Sequence, residues 1–213
     1  MSAIVKLKDM TGAGMMDCKK ALEECGQDID KAAAYLREKG KALAAKKQDR
    51  IAAEGACFSY VHLGGKIAVL LEINCETDFA AKADDFQQLG KDIAMHIAAF
   101  NPTYVSETEV PAAELEREKE ILRNKARGDK KPEAVIEKML EGQVKKFCSE
   151  ICLLHQPFLR DPAKSVQDIV VETTAKIGEK ISIRRFVRYE MGEGLEKKTE
   201  DFASEVAKTA AKK

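Results

Sequence analysis

Tryptophan is missing from this sequence, and aromatic residues together make up only 6% of it. A surface that stacks nucleic-acid bases needs flat rings, and the chain has few to offer. Charge of one sign is missing as well. The 36 Lys and Arg are matched by 36 Asp and Glu, for a formal net charge of +0. Holding a phosphate backbone needs a basic excess, so nucleic acid is not expected as a direct partner, although the total leaves room for a local basic face. No run approaches the ~20 apolar residues of a membrane-spanning helix. The opening Met1-Ser2-Ala3-Ile4-Val5-Lys6 lacks the charged-then-apolar layout of a secretory leader. A cytosolic chain that works away from membranes is expected.

The usual signatures of active sites are absent too. There is no GxxxxGK followed by Ser or Thr to cradle phosphates, no GxSxG elbow and no HExxH. Gly192-Glu193-Gly194 lacks the third glycine of a GxGxxG turn. His62, His96 and His155 lie far apart along the chain. The six cysteines, Cys18, Cys25, Cys57, Cys75, Cys148 and Cys152, include no CxxC pair. Cys18 and Cys25, like Cys148 and Cys152, are spaced to share helical faces with apolar residues, so reduced and buried thiols acting as small hydrophobes are expected. A zinc or redox site would need other spacings. The expectation is a protein that is not an enzyme, with no catalytic residues, metal or cofactor of its own.

What the sequence does contain is a globular composition: 45% hydrophobic and 34% charged residues over 213 positions, enough for one medium domain and a smaller one. Residues 1–40 read as three short helices. Ile4 and Leu7 mark the first, and Thr11-Gly12-Ala13-Gly14 breaks it. Met15, Cys18, Ala21, Leu22 and Cys25 mark the second, up to Gly26. Ile29, Ala32, Ala33 and Leu36 mark the third, with Asp28 as N-cap and Gly40 as its stop. Residues 41–55 are Ala-rich and basic, a linker that is part helical.

The period then changes from 3.6 to 2. Ala56 to His62 and Ile67 to Cys75 form two strands around a Gly64-Gly65 turn. Helices follow, one with Phe86, Leu89, Ile93 and Ile97 on its buried side, then two at roughly 111–127 and 132–149. Ser165 with Asp168 resembles a capping box for a helix ending at Gly178. Ile181, Ile183, Arg185, Val187, Tyr189 and Met191 alternate as a third strand, with Phe186 on the opposite row. A last helical module, 192–213, carries Phe202, Ala203 and Val206. The fold class is α+β: an N-terminal three-helix bundle (1–40), a linker (41–55), then a core (56–191) whose three-stranded antiparallel sheet is covered by helices on one face.

Two places stand out. Thr77-Asp78-Phe79 sits at a strand-to-helix junction. Thr77 can cap the helix and Asp78 can favour its dipole while Phe79 tucks into the core, or Phe79 can be presented to a partner. Met15 and Met16 are adjacent on a helix and point about 100° apart, so at most one can sit centrally in the bundle and the other faces outward.

At these same residues the chain resembles a known family. Thr11-Gly12-Ala13-Gly14-Met15-Met16-Asp17-Cys18-Lys19-Lys20-Ala21-Leu22 is similar, nearly letter for letter, to the opening signature of bacterial translation elongation factor Ts. Ile73-Asn74-Cys75-Glu76-Thr77-Asp78-Phe79 matches its second signature. Ala44-Ala45-Lys46-Lys47, Ile177-Gly178-Glu179, Ile183-Arg184-Arg185 and Gly192-Glu193-Gly194-Leu195-Glu196-Lys197 extend the likeness in the right order. The resemblance implies a guanine-nucleotide exchange factor that binds elongation factor Tu carrying GDP and promotes GDP release without covalent chemistry. It implies that the N-terminal bundle is ubiquitin-associated-like and docks on the GTPase domain. Thr77, Asp78, Phe79 and Ala80 match the wedge that displaces Mg²⁺. Met15 and Met16 match docking contacts, Lys47 a basic linker position near the partner, and Ile177 and Gly178 a second core contact. His62 aligns less securely with a family histidine that touches the GTPase.

One departure matters. Longer family members carry two related sheet-and-helix halves, and this chain shows one. A second copy of the chain could supply the missing half, giving a homodimer. The competing function is a ubiquitin-associated-type adaptor with a dimerisation core. The Thr77-Asp78-Phe79 corner discriminates, since an adaptor has no need of it.

Overall fold

A computed structural model describes residues 2–128 and 133–195, with the backbone alone for 126–128 and 133–138. The expected C-terminal helix around Phe202, Ala203 and Val206 lies outside the described residues. Helices α1 (Ala3–Thr11), α2 (Met15–Glu24) and α3 (Ile29–Lys47) come first. Strands β1 (Glu54–His62) and β2 (Ile67–Cys75) follow, then α4 (Asp78–Ala81), α5 (Asp84–Phe100), α6 (Ala112–Gly128) and α7 (Glu133–Ile151). The short strands β3 (Pro157–Phe158) and β4 (Asp161–Ser165), helix α8 (Val166–Ile177) and strand β5 (Ile181–Glu190) complete the order.

Local chemistry accounts for the ends of the bundle helices. The Ser2 hydroxyl accepts from Val5 N at the start of α1, and Gly12 closes that helix in the left-handed region at φ 67°. Asp28 accepts from the N–H groups of Asp30 and Lys31 at the start of α3. Leu7, Cys18, Ala21, Leu22 and Ala32 close the core between the three helices. Gly40 does not stop α3, which runs seven residues further, to Lys47. It marks instead where α3 crosses α8: a Cβ there would stand 3.1 Å from Ala175 Cβ. A glycine lets two helices approach this closely, and its helix-breaking tendency of about 1 kcal/mol is overridden by that contact.

The main sheet has the order β1-β2-β5, antiparallel throughout. Gly64 and Gly65, both at positive φ, turn the first hairpin. Ile67, Val69, Leu71, Ile73 and Cys75 face inward from the central strand, opposite Phe58 and Tyr60 of β1. Helices α4, α5 and α8 cover this face with Ala80, Ala81, Phe86, Leu89, Ile93, Ile97, Val166 and Val170. The strict alternation expected for the third strand is broken. Glu72 pairs with Arg185 while Ile73 pairs with Ile183, so Arg184 is an extra residue in β5. Past this bulge the faces exchange. Ile181 and Ile183 point inward, as does Phe186 opposite Leu71, whereas Val187 and Tyr189 point outward. The bulge also lets Arg184 and Arg185 both reach Glu72, at 2.7 Å each. The outer face is left with exposed Val61, Leu70, Val187 and Tyr189.

Helices α6 and α7 form a hairpin of their own, with Leu122 against Leu140 and a foot of Val110, Cys148 and Cys152. The β3–β4 hairpin is too short to show in the sequence. It is pinned by the buried His96, whose Nδ1 accepts from Leu159 N and whose Nε2 lies 2.9 Å from Gln156 Oε1. The Ser165–Asp168 capping box forms in full at the start of α8, and Gly178 ends that helix at φ 82°. The cysteines are not all buried. Cys18, Cys75, Cys148 and Cys152 are, but Cys25 is only half-buried and Cys57 lies on the exposed face of β1. Burial pushes the Cys152 thiol up to about 12.

Candidate functional site

The chain leaves the central strand at Cys75 and turns at once into the four-residue helix α4. Thr77 is its N-cap: the Thr77 hydroxyl accepts from Ala80 N at 3.2 Å. A helix this short can press only one side against the core. Ala80 and Ala81 take that side and are buried. Phe79 is left pointing out, 81% exposed. Burying a phenylalanine stabilises a fold by roughly 1.5–3 kcal/mol, which this corner forgoes. Beside the ring, Lys82 Nζ lies 5.9 Å from its centroid and donates to Asp78 at 2.7 Å. That hydrogen bond holds the Asp78 carboxyl below the usual carboxylate range.

The corner is braced from behind. Thr77 donates its N–H and its hydroxyl to the two oxygens of Glu179, at 3.0 and 2.8 Å. Cys75 Sγ lies 3.1 Å from Thr77 O. Glu76 accepts from Lys180 N at 2.7 Å and pairs with Arg50 at 3.1 Å. The Lys180 hydrogen bond is the main reason its carboxyl sits below the usual range. The product is a stiff polar base carrying one bare aromatic ring next to an acid. No nucleophile paired with a base is built here. Among the described residues no three His, Cys, Asp or Glu side chains cluster as a metal site would need, and no helix is long and apolar enough to cross a membrane. What the arrangement can do is insert an apolar side chain into another molecule.

The sequence model of elongation factor Ts matches residues 3–193. The chain belongs to the elongation factor Ts family. It is 61% identical over 206 residues to elongation factor Ts of Desulforamulus reducens, covering 97% of this chain and 95% of that relative. The elongation factor Ts of Geobacter sulfurreducens is 60% identical over 205 residues, 96% of this chain and 95% of the relative. That of Desulfitobacterium hafniense is 58% identical over 205 residues, 96% and 94%. These relatives therefore have nearly the same length as this chain.

The remaining residues that the family likeness singles out are spread over the molecule. Met15 and Met16, in the first turn of α2, are 52% and 65% exposed. Both face outward rather than one, because the buried stripe of α2 begins only at Cys18. Lys47 is 7% exposed and turned inward, donating to the Gly178 carbonyl. It tethers the end of α3 to the turn after α8, a cation placed at a helix C-terminus. Ile177 is half-buried against the main core. Gly178 and Lys47 are thus brought to the same side of the molecule as the Phe79 corner, through the Glu179 and Lys180 contacts. His62 is not. It ends β1 opposite Ile67, whereas the corner adjoins the other end, where Glu54 pairs with Cys75. Eight strand steps separate the two ends, roughly 26 Å. His62 is exposed and stacks on Tyr60, whose hydroxyl lies 3.0 Å from His62 Nδ1. Sequence reading missed Glu76, Arg50, Lys180 and the role of Glu179. Their contacts span 26 to 132 residues, and no local spacing signals them.

Proposed function

We propose that this chain is the guanine-nucleotide exchange factor for elongation factor Tu in translation elongation. It binds the GDP-carrying GTPase and loosens the nucleotide by inserting the Asp78–Phe79 corner. The observation that carries this reading is the bare Phe79 ring on a braced corner, in a chain of the elongation factor Ts family. Mg²⁺ bridges nucleotide phosphates through a few demanding ligands. A wedge that shifts those ligands weakens ion and nucleotide together. By linkage, bound nucleotide weakens the exchange factor by the same factor. A protein can therefore speed release repeatedly with no active site of its own.

The exposed methionines of the ubiquitin-associated-like bundle supply soft apolar docking contacts on the GTPase domain. Ile177 and Gly178 supply a second contact beside the wedge, and Lys47 supports it from behind. The outer sheet face, with Val61, Leu70, Val187 and Tyr189, is a two-fold interface between copies of the chain, so that the assembly is two-plus-two.

The decisive experiment is release of fluorescent GDP from elongation factor Tu with and without this protein. Phe79→Ala is expected to slow the stimulated release by roughly 30-fold, the equivalent of an anchor of about 2 kcal/mol, while binding persists in part. Unchanged release by that variant would remove the wedge assignment.

A further inference from the structure

The turn between α8 and β5 uses three consecutive residues to tie the molecule together. The Gly178 carbonyl receives Lys47 from the end of α3. Lys180 donates its N–H to Glu76 at 2.7 Å and its ammonium to the carbonyls of Gln48 and Arg50, at 2.7 and 2.8 Å. Between them, Glu179 reaches across to Thr77. Its Oε2 accepts from Thr77 N at 3.0 Å and its Oε1 from Thr77 Oγ1 at 2.8 Å.

The last of these contacts decides how the corner is built. The Thr77 hydroxyl proton is committed to Glu179, so its lone pairs are turned to the Ala80 N–H, 3.2 Å away. That hydrogen bond starts α4. A helix of one turn is far below the length that sustains itself in water, so α4 depends on outside partners for its form. Ala80 and Ala81 anchor its buried side. The polar side hangs on Thr77, and Thr77 hangs on a charge-assisted, two-oxygen acceptor. Phe79 lies between the two.

We infer that Glu179 is a positioning residue for nucleotide exchange, holding the projecting Phe79 corner in place through the Thr77 N–H and hydroxyl. The inference rests on the reading of Phe79 as the wedge. A glutamine at 179 has the same size but no charge: its one oxygen can accept from only one Thr77 donor, and its amide can only donate to the Thr77 hydroxyl, so the charge-assisted acceptor that fixes the hydroxyl proton is lost. An aspartate keeps both oxygens on a shorter stem.

The test is fluorescent GDP release from elongation factor Tu, titrated with the full chain carrying Glu179→Gln, Glu179→Asp, Phe79→Ala, or Glu179→Gln with Phe79→Ala. Glu179→Gln is expected to lower the maximal release rate by about tenfold, the effect of losing one hydrogen bond to a charged group. The half-saturating concentration should move by less than about twofold, because docking elsewhere is untouched. Glu179→Asp should recover part of the rate. In the Phe79→Ala background the same change should cost little, since nothing is left to position. Amide exchange at Thr77 and Ala80 should quicken in Glu179→Gln while exchange at Ile93 in α5 stays as it was. Parental release by a folded Glu179→Gln overturns the inference and leaves the wedge reading standing if Phe79→Ala is slow. Parental release by Phe79→Ala overturns the wedge reading and this inference with it. Should Glu179→Gln not fold, Thr77→Val breaks the link from its other end, and a parental rate there overturns the inference equally.

Discussion

His96 shows how one residue can set a condition on the whole core. Its ring stacks with those of Phe100 and Phe158. Nδ1 must be bare to accept from Leu159 N, so the proton sits on Nε2 and is donated to Gln156 Oε1. Burial pushes the ring below its ordinary value of 6.5. As pH falls, the unfolded chain therefore takes up this proton first: above about pH 6.5 His96 contributes its full stability, and below that the contribution is lost until the folded ring itself titrates. The melting temperature should drop between pH 7.5 and 5.5, above the range where carboxylates titrate. His96→Asn should lower stability at every pH and flatten that slope; an unchanged slope would place the titrating group elsewhere. Met15 and Met16 act at the same scale but on the surface. Both are exposed, so Met15→Asp and Met16→Asp should leave the melting temperature nearly unchanged. Each should weaken the complex with elongation factor Tu, by titration, because the new charge is desolvated only on docking. Variants that fold and bind as the parent would move the docking site away from α2.

Elements meet at two glycines that local patterning misreads. Gly40 has the look of a helix stop and lies inside α3 against α8. Gly90 has no sequence signal at all, yet the Phe58 ring lies flat over it, and a Cβ would come within 2.2 Å of that ring. Gly90→Ala gains about 1 kcal/mol of helix propensity. It also forces Phe58 out of its place between β1 and α5, and overpacking of this kind costs about 1–3 kcal/mol. Net destabilisation is expected, seen as a lower denaturant midpoint with an unchanged slope. A higher midpoint would mean that Phe58 can shift freely. The helices with strong caps and the hairpin with two turn glycines were legible because their signals lie within a few residues. The β5 bulge and the brace behind Phe79 were not, because an inserted Arg184 and a Glu179–Thr77 hydrogen bond become visible only when distant segments are paired.

At the scale of the molecule, one layer of helices covers one face of a three-stranded sheet. The other face carries an apolar belt of Val61, Leu70, Val187 and Tyr189 beside the Glu72–Arg184–Arg185 cluster. Contiguous apolar surface of this kind is uncommon on monomers. Light scattering at rising micromolar concentration is expected to give the mass of two chains, and Leu70→Glu to return it to one. A monomer mass that persists for the intact chain rules the homodimer out.

By itself the sequence determined the family, the order of the long helices and of the three main strands, the Gly64–Gly65 turn and the capped starts of α3 and α8, since each rests on residue spacings of a few positions. The exposure of Phe79, the inward turn of Lys47 and the outward turn of both methionines were decided only by tertiary structure. Which side of a short helix meets the core depends on what other segments pack against it, from Leu7 and Ala32 against α2 in the bundle to Glu179, 102 residues away, behind Thr77.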